Sequence, residues 1–421
     1  MRASVRTEAA AGLSTFLTAA YIIFVNPAIL STTGMDKGAL VTVTCLATAV
    51  ATLAMGLIGR VPLMMAPGMG LNSFFAYSVC QAAGVPWRTA LGVVFLSSLC
   101  FFILALAGIR KRILDAIPRS LRLSTSVGIG FLISFIGLQQ LGVIAKSDAT
   151  MVRLGQFTLE TWLGLAGLIA MVVSELRSIR GSILIGIFLA SLLGIVFGRI
   201  HFTGEIVSLP ASMSPLFLQL NIRSALTLAL LPTIFAFMYV DLFDNLGTTI
   251  AVARRAGMVK PDGTIERIAT LLRVDSLAAM FGALCGTSTV VSYVESAVGV
   301  AQGGRTGLTS VFTAILFFIA MFFAPLVLAV PAFATAPALI FVGLFMVRDV
   351  SEIHFSDWEE GVPAFLTMLL MPLTFSISEG IMFGFLAHTI LKLLGGKVRE
   401  LNPPILVITL LSAVNLWIAA R

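Results

Sequence analysis

Charge is what this chain has least of. Asp, Glu, Lys and Arg together make up 11% of its 421 residues, against about a quarter in soluble domains, and the mean hydropathy is +1.03. That excludes a soluble globular protein. Polar stretches long enough for a soluble domain are missing too, because apolar runs recur from residue 12 to residue 420 with short gaps. Period-two alternation of polar and apolar residues is absent, which excludes a β-barrel. With backbone groups in lipid obliged to pair internally, helices remain. Cysteine and histidine are scarce: Cys45, Cys80, Cys100 and Cys285 stand singly among apolar neighbours, and His201, His354 and His388 show no ligand spacing. The expectation is therefore no disulfide framework, no metal and no cofactor. No nucleophile with a base lies inside the spans, so an enzyme is not expected either.

What is present is an apolar series divisible into fourteen spans: 12–31, 39–58, 66–83, 89–109, 124–144, 161–177, 182–199, 224–253, 268–285, 289–302, 307–330, 333–347, 361–376 and 379–394. A further stretch, 404–420, follows Pro403-Pro404 and is either interfacial or a fifteenth crossing. With the N-terminus cytoplasmic, nineteen Lys and Arg fall on the cytoplasmic side and six on the other, the asymmetry that sets orientation. The same asymmetry accounts for the net charge of +7 without nucleic acid as a partner. Basic loops 110–122 and 254–267 are expected to touch anionic lipid head groups.

The chain repeats itself. Arg88-Thr-Ala-Leu-Gly-Val-Val-Phe recurs in register as Arg305-Thr-Gly-Leu-Thr-Ser-Val-Phe, and Ser178-Ile-Arg-Gly-Ser-Ile echoes Ser376-Ile-Ser-Glu-Gly-Ile. Each match joins spans seven crossings apart, and an odd number turns the second copy upside down. This is the inverted-repeat plan of secondary transporters, whose sites lie at discontinuous helices in matching positions of the two halves. The third span holds Ala66-Pro67-Gly68-Met69-Gly70-Leu71-Asn72, and the tenth holds Cys285-Gly286-Thr287-Ser288-Thr289 before Glu295. Neither sustains a straight helix, and in each a short extended segment leading into a half-helix is expected. Close helix packing of small residues is the alternative reading of the glycines.

Carboxylates sit where the plan puts a site. Asp241 and Asp244 are three residues apart in the apolar eighth span, on one side of a helix, and Glu295 lies in the interrupted tenth. An acid at the bilayer centre costs roughly 2.5–3.5 kcal/mol on insertion scales and marks a polar cavity or ion path. The bland alternative is pairing with a buried cation. Arg273 in the ninth span is the candidate, with Asp275 as its other possible partner. Phe74 and Phe75 either stack on a ligand or face lipid.

Four stretches together resemble the AzgA-like purine permeases of the nucleobase-cation symporter family along nearly the whole chain. They are Thr18-Ala-Ala-Tyr-Ile-Ile-Phe-Val-Asn-Pro27, Ala66-Pro-Gly-Met-Gly-Leu-Asn-Ser-Phe-Phe-Ala-Tyr77, Val240-Asp-Leu-Phe-Asp-Asn-Leu-Gly-Thr248 and Gly286-Thr-Ser-Thr-Val-Val-Ser-Tyr-Val-Glu-Ser-Ala-Val-Gly-Val300. The resemblance implies an all-α polytopic protein of two inverted repeats of seven spans. A core domain would comprise residues 1–123 and 224–330, and a gate domain residues 124–223 and 331–421. It implies import of adenine, guanine or hypoxanthine across the cytoplasmic (inner) membrane by proton symport, with a homodimer kept open as the assembly. It also implies a base site of Asp241, Asp244, Glu295, Asn72 and Gly70, with the three acids as proton-coupling candidates. The rival is an anion carrier of the same architecture, of the sulfate or bicarbonate kind. Such a site should offer a cation at the interrupted helices, where this chain places acids.

Overall fold

The structure, a computed structural model, describes residues 4–107, 117–200, 204–258, 265 and 267–419. Residues 110–116, 259–264 and 266 of the two basic loops, and His201, lie outside them. Ten described helices are long and apolar enough to cross a membrane, and each coincides with one of the fourteen predicted segments. The other four take different forms. Ser182–Val196 and Trp358–Thr374 are helices of 15 and 17 residues, while the stretches around 66–83 and 289–302 each begin with a strand. The 404–420 stretch is a helix, Pro403–Ala419, packed against Ile377–Leu394.

The strand-led segments follow from their residues. Pro67 cannot donate to a helical ladder, and Gly286 ends the helix Ile268–Cys285 in a left-handed turn at φ 94°, a conformation open to glycine. A Cβ at Gly286 would also lie 2.7 Å from the Leu216 carbonyl oxygen. Extended backbone in a nonpolar interior needs partners, and the two strands supply them to each other. Met65–Pro67 and Val290–Ser292 pair antiparallel, with Met65 opposite Ser292 and Pro67 opposite Val290. The ladder continues through Gly68 N–H to Thr289 O (3.0 Å) and Tyr293 N–H to Met64 O (2.9 Å). Serine and threonine hydroxyls take up other backbone groups: Ser310 Oγ accepts from Leu63 N–H and Ser296 Oγ from Met64 N–H, both at 2.9 Å. Beyond the first strand, the short helix Met69–Ser73 runs into wider π-type turns, Phe74–Ala82. Beyond the second lies the helix Ser296–Ala301.

Packing is reciprocal under the pairing the sequence repeat implies. Trp87–Ala107 packs on Ile268–Cys285, and correspondingly Gly307–Ala320 packs on Lys37–Ala54. Leu159–Leu176 lies against Ser182–Val196, as Trp358–Thr374 lies against Ile377–Leu394. Arg119–Gln140 and Ala332–Val347 face each other at the centre of this second group. On the rim of the second group Lys392 pairs with Glu359 (2.7 Å) and Glu400 (2.6 Å), and Lys397 with Glu359 (2.7 Å). The Lys392 hydrogen bond, aided by Lys397, holds the Glu359 carboxyl down at about 2.

Candidate substrate site

The helix Leu231–Arg255 carries the acids of the eighth predicted span. Its first half is largely enclosed, with Phe237, Tyr239 and Val240 at most 5% exposed. From Asp244 onward one side opens: Asp244, Gly247, Ala251, Arg254 and Arg255 are all exposed. An Asp, a Gly and two Arg do not make a lipid-facing stripe. The exposed side runs from mid-helix to the Arg-rich end. A Cβ at Gly247 would meet no atom within 4 Å, so the helix is open one turn beyond Asp244.

Glu295, at the start of the Ser296–Ala301 helix, is half-buried. Its carboxylate accepts a hydrogen bond from the Tyr21 hydroxyl at 2.5 Å, and the neighbouring Val294 is 57% exposed. Asp244 lies close enough to Glu295 and to Asp349 to be repelled by both. Among the described residues neither Asp244 nor Glu295 makes an ion pair, and Arg273 is exposed. The two carboxylates thus lie within electrostatic reach of each other, Asp244 exposed and Glu295 half-buried.

Asp241 and Asn72 do not reach that space. Asp241 is 2% exposed and accepts from the Asn245 side-chain amide. Asn245 in turn accepts from Ser292 N–H at 2.6 Å, and the Ser292 hydroxyl donates to Asp275 at 3.2 Å. This network fixes the second strand to the helix behind it. Asn72, fully buried, donates to Asn26 Oδ1 at 2.7 Å, and Asn26 donates to Thr44 (2.7 Å) and Thr287 (3.1 Å). Gly70 marks a close approach: a Cβ there would lie 2.9 Å from Ile129 Cγ2 and 3.8 Å from Met346 Cε. Both belong to helices of the second packing group. Phe74 neither faces lipid nor is free to stack on a ligand, because it packs on Phe237 with ring centroids 4.6 Å apart. Phe75 is fully buried.

The residues that reading by sequence missed are the partners: Tyr21, Asn26 and Asn245. A tyrosine hydroxyl and two amides inside apolar runs were the available signals, since such groups need partners when buried.

The fold and the paired carboxylates define a mostly helical, polytopic membrane protein. Its architecture is similar to the transmembrane domain of a cyanobacterium bicarbonate transporter, BicA, with a TM-score of 0.68 at 16% identity over 91% of this chain and 98% of that one. Identity that low shows fold alone. A model of the Xan_ur_permease family, described as "Permease family", matches residues 6–383, and the chain belongs to that family. It is similar to the adenine permease AdeQ of Escherichia coli K12, 41% identical over 98% of this chain and 93% of AdeQ. It is equally similar to the guanine/hypoxanthine permease PbuG of Bacillus subtilis 168, 41% identical over 95% of this chain and 93% of PbuG. These relatives are permeases and not enzymes.

Proposed function

We infer that the protein imports purine nucleobases by proton symport, with alternating access between two bodies. The observation that carries this reading is that Asp244 and Glu295, free of ion pairs among the described residues, lie within electrostatic reach of each other, one exposed and one half-buried, with Glu295 in a strand-led segment. A purine edge presents N–H donors that carboxylates accept, and burying a base and a proton at one pair of acids links their movements. Relatives at 41% identity named for adenine and for guanine and hypoxanthine support the substrate class. In this reading Asp244 and Glu295 touch the base, Asp241 and Asn72 hold the surrounding helices, and Gly70 lets the bodies slide. The bodies are a core of residues 1–123 and 224–330 and a gate of residues 124–223 and 331–421. Fourteen crossings in two inverted repeats, interrupted at the third and tenth, leave the N-terminus cytoplasmic. The site then opens toward Arg254 and Arg255 on the cytoplasmic side. An anion carrier is not favoured, because two carboxylates face the space.

The test is uptake of radiolabelled adenine, guanine, hypoxanthine and uracil by a permease-deficient bacterial host. Purine uptake that collapses with a protonophore is the expected result. Preference for uracil or sulfate would refute the substrate class, and sodium dependence indifferent to the protonophore would refute the coupling.

A further inference from the structure

Arg122 belongs by sequence to a basic loop expected at the lipid head groups, but the structure turns it inward. It lies in the first turn of Arg119–Gln140, and its guanidinium carbon sits 5.7 Å from the centroid of the Phe243 ring. Phe243 is the residue before Asp244, half-buried and packed on Tyr239 with ring centroids 4.7 Å apart. Arg122 makes no ion pair among the described residues, and its Nε is buried with no hydrogen-bond partner there. A guanidinium stacks on an aromatic ring with its donors still free at the edge. Buried donors without acceptors are rare and call for an explanation.

We propose that Arg122 discriminates among purines, favouring bases with a 6-oxo group over those with a 6-amino group. This rests on the purine reading above. The two carboxylates can accept from ring N–H groups, but they offer nothing to a base's acceptor edge. A guanidinium does the reverse. In guanine and hypoxanthine, N7 and O6 stand side by side as two acceptors that match the arginine fork, whereas adenine presents N7 beside an amino donor that the fork repels. The third component of the site would then come from the second packing group, through the stack of Arg122 on the residue before Asp244. One bidentate arginine contact of this kind discriminates by roughly 5–150-fold.

The experiment compares apparent affinities for hypoxanthine, guanine and adenine in the same host, for the wild type, Arg122→Met and Arg122→Lys, with surface expression measured for each. The expected wild type prefers the oxopurines. Arg122→Met should weaken hypoxanthine and guanine by about tenfold or more while adenine is kept or improved. Arg122→Lys, with the charge but not the fork, should fall between. If Arg122→Met fails to reach the membrane, the ratio in Arg122→Lys decides. An equal loss for all three bases, an unchanged ratio, or a wild type that prefers adenine overturns the assignment. A wild type that takes up no purine refutes the purine reading and this assignment with it, whereas purine uptake with an unchanged ratio refutes only the role of Arg122.

Discussion

Removing one oxygen atom at Tyr21 tests whether Glu295 is held for function. The Tyr21 hydroxyl is buried on a residue 2% exposed and donates at 2.5 Å to a carboxylate 274 residues away in sequence. Hydrogen bonds to charged groups contribute about 1.5–3 kcal/mol, which corresponds to roughly 10–150-fold in an equilibrium constant. Tyr21→Phe keeps the ring and its packing, so the loss should fall on the carboxylate's placement. Purine binding to detergent-purified protein should weaken by that factor, with the melting temperature little changed. The sharper assay is a double-mutant cycle with Glu295→Gln. If Tyr21 acts through Glu295, adding Tyr21→Phe to Glu295→Gln should cost almost nothing further, leaving a coupling of 1.5 kcal/mol or more by the same estimate. Additive losses would refute the reasoning, because the hydroxyl would then serve something other than Glu295.

Asp244→Asn should abolish uptake while the protein inserts and melts normally, since the residue is exposed and makes no ion pair among the described residues. A structural pair would instead cost about 3–5 kcal/mol when broken, visible as heat lability. Asn245→Ala should behave oppositely: it removes a donor from buried Asp241 and an acceptor from Ser292 N–H. At about 1–3 kcal/mol for each buried group left unpaired, thermal unfolding in detergent should show a clear drop, and an unchanged midpoint would count against the network. Gly70→Val should spare surface expression but slow transport at saturating base, because its Cβ would press on Ile129 across the two packing groups at 2.9 Å. Wild-type turnover in that variant would remove Gly70 from any sliding contact.

The long helices were legible because a 20-residue apolar run has few alternatives in a membrane, and the two strands because Pro67, Gly68 and Gly286 sit where a helix cannot continue. Their pairing was not, since a three-residue strand carries no period. Asp244 and Glu295 were legible as misplaced charges. Asp241 and Asp244 were read as equivalent, but residues three apart on a helix differ by about 60° in direction, and Asp244 is exposed while Asp241 is buried against Asn245. Asn72 enters as a ligand through the resemblance, and the positions of Asn26, Thr44 and Thr287, which link it into a chain of buried hydrogen bonds, carry no signal in the sequence. Arg122 was hidden by its neighbours, for a basic cluster near a helix end reads as lipid-facing whichever way one member points. The helix Ser182–Val196 stops three residues short of the predicted segment at 182–199, ahead of a left-handed Gly198, whereas Trp358–Thr374 begins three residues before the segment at 361–376 and ends two residues before its end.

The central claim is that base and proton move together through one pair of acids. Purified protein in proteoliposomes, with the interior alkaline, no sodium and no membrane potential, tests it most directly. The account predicts accumulation of tritiated hypoxanthine or adenine above the external concentration, abolished by a protonophore and absent in Glu295→Gln. Uphill uptake that persists without the pH gradient, or that Glu295→Gln sustains at the wild-type rate, would contradict it.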